Sequence, residues 1–97
     1  MKTKNEIISV LQAIKPELEE NFQVKSIGLF GSVVRGNPGG ASDIDILVEF
    51  QQPVGMFRFL ELEEFLSGRL GGKVDLVSKK ALKPEIGRAI LAEVVLT

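Results

Sequence analysis

Three aspartates and one Gly-Ser pair carry the chemistry open to this chain. Asp43 and Asp45 stand one residue apart at the head of the apolar run Ile44-Asp45-Ile46-Leu47-Val48. In an extended strand, residues two apart share a face and lie about 6.5–7 Å from one another. Their carboxylates can then close on one small divalent ion. The alternate residues Ile44, Ile46 and Val48 can bury against a helix layer, which sets the face the acids take. Asp75 sits in a second apolar run, between Val74 and Leu76. Aspartate is depleted from strands, and an unpaired buried carboxylate costs several kcal/mol, so acids among such neighbours call for a cation or a cluster of donors. A solvated edge strand would account for either one alone, and Ser42-Asp43 by itself could be an ordinary turn pair. If the two strands are neighbours, three carboxylates converge, and their repulsion disfavours the fold unless metal binds. Three aspartates around one or two Mg²⁺ ions are a common way to handle a nucleoside triphosphate.

Gly31-Ser32 supplies the other half of such a site. Glycine lets a backbone approach a phosphate closely, and the Ser32 hydroxyl with the N–H groups of a following helical turn can donate to it. Arg35 adds charge on that side, or is a solvated surface arginine. A phosphate-binding P-loop would place Lys-Ser or Lys-Thr after the second glycine, but Gly36 is followed by Asn37-Pro38, which excludes it. Phosphatases with an Asp-x-Asp nucleophile pair normally carry the apolar strand before the acids. Here Ile46, Leu47 and Val48 follow them, which weakens that reading.

Composition narrows the chemistry further. The chain has 97 residues, enough for one domain, with neither cysteine nor histidine. Disulfides, thiolates, Cys-ligated zinc and the commonest general base are thereby removed. Carboxylates, hydroxyls, Lys and Arg remain, which points to hard, oxygen-bound cations such as Mg²⁺ or Mn²⁺. Twelve basic against thirteen acidic residues give a net charge of −1, so no general pull toward nucleic acid or anionic membranes is expected. The start Met1-Lys2-Thr3-Lys4 does not read as a signal peptide, and no run is long enough to span a membrane. A cytoplasmic location is expected.

The elements that must position these groups follow from periodicity. Thr3-Lys4-Asn5-Glu6 has the capping-box form, and Ile7, Leu11, Ile14 and Leu18 recur at helical spacing, with Pro16 expected to kink or restart the helix before it ends near Asn21. Lys25 to Phe30 reads as a strand, Val33 to Arg35 as one short helical turn, Asn37 to Ser42 as a loop, and Asp43 to Phe50 as a second strand. Met56 to Leu66 is a second helix closed by Ser67-Gly68 and Gly71-Gly72, Lys73 to Ser78 a third strand, and a last short helix starts at Pro84 and keeps Ile86, Ile90 and Val94 on one face. Phe57, Phe59 and the Val94 to Leu96 tail are core or partner surface, with core favoured on general grounds. The order predicts an α/β (α+β) domain with one small mixed sheet.

Gly31-Ser32, ten intervening residues, Asp43-x-Asp45 and a later strand aspartate, Asp75, resemble the nucleotidyltransferase superfamily that includes DNA polymerase beta. The short length, Ser42 to Phe50 (Ser-Asp-Ile-Asp-Ile-Leu-Val-Glu-Phe) and the Leu-Lys-Pro then Ile pattern of Leu82 to Ile86 are similar to its minimal nucleotidyltransferase branch. The resemblance implies a mixed three- to four-stranded sheet flanked by helices, with ATP or another nucleoside triphosphate at Gly31, Ser32 and Arg35. It also implies metal ions on Asp43, Asp45 and Asp75, with Asp75 serving as base for an attacking hydroxyl. The implied reaction is transfer of a nucleoside monophosphate to a hydroxyl, with release of pyrophosphate. Members of that branch are commonly encoded beside an all-helical HEPN-domain ribonuclease toxin, and several transfer AMP to a tyrosine of that partner. A HEPN toxin is therefore the expected acceptor, with a non-catalytic, nucleotide-binding antitoxin as the alternative. Transfer to a small molecule such as an aminoglycoside is disfavoured, because those enzymes carry an added helical domain for the acceptor.

Overall fold

The computed structural model describes residues 3–35 and 43–97. The loop expected over Asn37 to Ser42 lies outside them. Helix α1 (Lys4–Phe22) begins with the capping box foreseen from sequence: Thr3 Oγ1 accepts from the Glu6 N–H at 3.2 Å, and Glu6 Oε1 accepts from the Thr3 N–H at 3.1 Å. Strand β1 (Val24–Phe30) follows and ends in a 3₁₀ turn, Gly31–Val33. Next come β2 (Ile44–Phe50), α2 (Met56–Leu70), β3 (Val74–Ser78), α3 (Pro84–Glu93) and a two-residue strand β4 (Val95–Leu96). The sheet order is β3-β2-β1-β4, with β2 and β3 parallel and both partners of β1 antiparallel. The sheet is therefore mixed, and the α+β expectation holds. Among the described residues no helix is long and apolar enough to cross a membrane.

Helices α1 and α2 cover one face of the sheet. Ile7, Leu11, Ile14, Leu18 and Phe22 of α1, and Leu62, Leu66 and Leu70 of α2, pack on Ile27, Leu29, Ile44, Ile46, Val48, Val74 and Leu76. Strand alternation then turns Phe30, Asp45 and Asp75 to the opposite face, as the apolar pattern of β2 required.

Three expectations change. α1 does not restart at Pro16 but runs unbroken through it. Pro16 is exposed while Leu11, Ile14 and Leu18 stay buried on the inner side, so packing outweighs the one backbone hydrogen bond that proline removes. Pro16→Ala is accordingly expected to stabilise the fold by about 2–3 kcal/mol, read as a higher Tm in thermal unfolding. α2 passes Ser67-Gly68 and ends at Gly71, whose φ is +68°. The Ser67 hydroxyl donates to the Glu63 carbonyl at 2.9 Å instead of stopping the helix, and Leu70 extends the buried stripe. Of the three candidate partner-or-core segments, Phe57 is 85% exposed, Phe59 packs against the core, and the tail forms β4 on the edge of β1.

Candidate active site

β2 and β3 run in parallel with Asp45 directly opposite Asp75. Neighbouring strands lie about 4.8 Å apart, so two like charges share one face at close range. Parallel pairing of this kind needs a crossover between the strands, and α2 provides it. Asp43 stands one residue ahead of β2, and its Oδ2 lies 3.9 Å from Lys73 Nζ. Burial pushes the Asp45 carboxyl above the ordinary aspartate range, and the charges of Asp75 and then Asp43 push it further; Arg35 opposes them and Glu93 adds to them. Among the described residues, no three acids are gathered as a ready metal cage. The donor set nevertheless suits a hard cation: oxygen ligands only, with one half-buried carboxylate whose charged form its surroundings disfavour.

The Gly31 turn is built against the same aspartate. Phe30 is paired with Asp45 across β1 and β2, and the chain then turns at Gly31 with φ +77°. A Cβ on Gly31 would overlap Asp45 Oδ2 and come within 2.9 Å of its Cγ. Only glycine satisfies both the left-handed backbone and the carboxylate lying over it. The Gly31 carbonyl accepts from the N–H groups of Val34 and Arg35, both at 3.1 Å. The helical turn thus starts two residues earlier than the sequence suggested, and Ser32, half-buried, lies inside it.

α3 supplies residues that the sequence reading did not single out. Glu93, its last residue, accepts from the Gly31 N–H through Oε1 at 3.1 Å and pairs with Arg35 Nη1 through Oε2 at 3.3 Å. Between the turn and this helix lies a cleft of about 470 Å³, bounded by Phe30, Gly31, Arg35 and Asp45 on one side and Glu85, Ile86, Ala89, Ile90 and Glu93 on the other. One signal for Glu93 was present: an acid in the last turn of a helix opposes the helix dipole. A second cavity of about 490 Å³, with walls including Phe50, Pro53, Val54 and Phe59, lies at the far end of β2 and contains none of the three aspartates.

The sequence pattern described as "Nucleotidyltransferase domain" matches residues 11–97. The chain belongs to the nucleotidyltransferase domain family. It is 50% identical over 95 residues to a protein of Thermococcus cleftensis named protein adenylyltransferase MntA, covering 98% of this chain and 96% of that one. Among solved structures, a minimal nucleotidyltransferase superposes with a TM-score of 0.74 at 29% identity, over 95% of this chain and 89% of the other. A toxin–antitoxin structure containing AMP-PNP gives 0.70 at 27% identity, over 95% of this chain and 69% of that chain. A complex of tri-AMPylated Shewanella oneidensis HEPN toxin with MNT antitoxin gives 0.61 at 25% identity, over 95% and 66%. The resemblance read from Gly31-Ser32 and Asp43-x-Asp45 therefore extends to the fold of this nucleotidyltransferase.

Proposed function

We propose that this nucleotidyltransferase transfers AMP from ATP to a hydroxyl of a HEPN-type toxin and acts as that toxin's antitoxin. The observation that carries the reading is the register of Asp45 against Asp75, beside a Gly31 turn that admits no side chain. The 50% identity to a protein adenylyltransferase and the likeness to an antitoxin bound to an AMPylated HEPN toxin support the acceptor class.

In this reading Gly31, Ser32 and Arg35 seat the triphosphate, with the turn's backbone and hydroxyl on its oxygens and the guanidinium balancing its charge. Asp43, Asp45 and Asp75 would hold Mg²⁺ or Mn²⁺, which when bound neutralises triphosphate charge and the charge that develops during in-line transfer. Asp75 takes the proton of the acceptor hydroxyl. The hydroxyl oxygen bonds to the α-phosphorus, the bond from that phosphorus to the bridging oxygen breaks, and pyrophosphate leaves with the electron pair. The domain keeps its cleft open beside α3, and a partner protein brings the acceptor.

Intact-mass spectrometry tests this directly, with the protein and its genomic-neighbour HEPN protein incubated with Mg²⁺ and ATP. Addition of one or more AMP units to the partner is expected, and none with the Asp43→Asn, Asp45→Asn double variant. A stable complex without any mass gain would replace catalysis by a binding-only antitoxin.

A further inference from the structure

Glu93 adds a negative charge to a cleft that already holds Asp45, and it does so at the helix end where a carboxylate is least favoured. Its ion pair does not account for its presence through stability. The Arg35 side chain is 63% exposed, and pairs of that kind contribute roughly 0–1 kcal/mol. What the contact does is geometric. One carboxylate ties three parts together: the end of α3, the Gly31 backbone N–H and the Arg35 guanidinium.

The α3 end of this tie is itself held. Directly after Glu93, Val94 and β4 lie along the edge of β1, with Gly28 opposite Leu96 and Leu29 opposite Val95. Gly28 makes the approach possible, since a Cβ there would come within 2.8 Å of both Val94 Cγ2 and the Val95 carbonyl oxygen. Thr97 continues the zipper, donating its N–H to the Ile27 carbonyl at 3.0 Å while its own carbonyl accepts from Lys15 Nζ at 2.9 Å. Glu93 is thereby fixed to the sheet and not only to the last turn of a helix.

Both contacts to Arg35 use Nη1. A guanidinium has five N–H donors in a planar fork, so a carboxylate on Nη1 orients the plane and leaves the Nε–Nη2 edge to meet two oxygens of a phosphate. We infer that Glu93 is a positioning residue: anchored by β4, it holds Arg35 and the Gly31 turn in the arrangement that receives the triphosphate of ATP. This rests on the reading of Gly31, Ser32 and Arg35 as the triphosphate seat. An unheld arginine would have to lose its rotamer freedom when the nucleotide binds, and the tie removes that cost beforehand.

The test is a double-mutant cycle on the Mg²⁺–ATP KM and kcat, with toxin partner present, for wild type, Glu93→Gln, Arg35→Ala and the double variant. Glutamine keeps an oxygen for the Gly31 N–H but loses the charge that holds Arg35. Glu93→Gln is expected to raise the KM for ATP by up to about fivefold, the limit a pair worth at most about 1 kcal/mol sets, with little change in kcat and a Tm close to wild type. Arg35→Ala should raise KM at least as much, and the double variant should be no worse than Arg35→Ala alone. Glu93→Asp, which keeps the charge on a shorter arm, should recover part of the loss, and it carries the test if the glutamine variant unfolds. Additive effects in the double variant, or an unchanged or lowered KM in Glu93→Gln while Arg35→Ala raises it, would overturn the positioning role and leave the triphosphate seat standing. A wild type that does not bind Mg²⁺–ATP, or an Arg35→Ala variant with unchanged KM, would remove the seat itself and the inference with it.

Discussion

Asp45→Asn should make the protein more stable in the absence of nucleotide and nearly inactive in its presence. Burial and the charges of Asp75, Asp43 and Glu93 raise the Asp45 pKa above the ordinary value of 3.8. Protonation therefore favours the fold. That contribution is fully present below the unfolded-state pKa and is lost as pH rises through the folded-state value, so above that value the charged side chain is a net cost. A neutral asparagine of the same shape removes the cost, and Tm should rise, by about 4–8 °C for each kcal/mol relieved in a domain of this size. The gain in Tm over wild type should shrink on acidification as the wild-type carboxylate takes up its proton. Under the proposed function activity should move the other way, because the charge that strains the fold is the one assigned there to a cation beside the transferring phosphoryl group. Loss of about 4 kcal/mol of such stabilisation is a roughly 10³-fold fall in rate. Mg²⁺ with ATP should raise the Tm of wild type and leave that of the variant where it was. Unchanged melting of both proteins in both conditions would remove Asp45 from any shared cation site.

Gly31→Ala is expected to damage fold and activity together. The residue has φ +77°, where an L side chain costs about 1–2 kcal/mol, and its new Cβ would overlap the Asp45 carboxylate. Asp45 cannot withdraw freely, because its strand is pinned between β1 and β3 through buried Ile44 and Ile46. The side chain must turn away or the turn must move, and either displaces an acid from its place beside Asp75. A fall in Tm of about 10 °C or more and loss of the proposed AMP transfer should result. Gly71→Ala is the matched control. Its φ is nearly the same, +68°, but nothing lies within 4 Å of its would-be Cβ. It should show only the smaller backbone penalty and keep its activity. Equal effects at the two positions would mean that the Asp45 contact is unimportant and only the left-handed backbone matters.

The expected position of Asp45 on the face away from the core was legible in the alternation Ile44-Asp45-Ile46, since a strand that buries one set must expose the other. The capping box at Thr3 and Glu6 was legible for the same reason: each contact spans three residues. Pro16 and Ser67-Gly68 misled because local propensity is weak beside a buried stripe that continues past them. The overlap between a side chain at Gly31 and Asp45 had no local sign at all.

Residue types and short-range pattern are enough to put Asp45 on a strand whose other face is core, with Asp43 at its start and a Gly-Ser break before them, and, without cysteine or histidine, to leave carboxylates, hydroxyls, Lys and Arg for any chemistry. Period-two alternation and residue chemistry act over a few residues and need no fold to be read. Tertiary structure decided the rest. It set Asp75 in register with Asp45 through the α2 crossover, laid the Asp45 carboxylate over Gly31, and brought Glu93 to a turn 62 residues away. Those contacts depend on which strands become neighbours and where β4 closes the edge of the sheet, and burial of the whole core settles both.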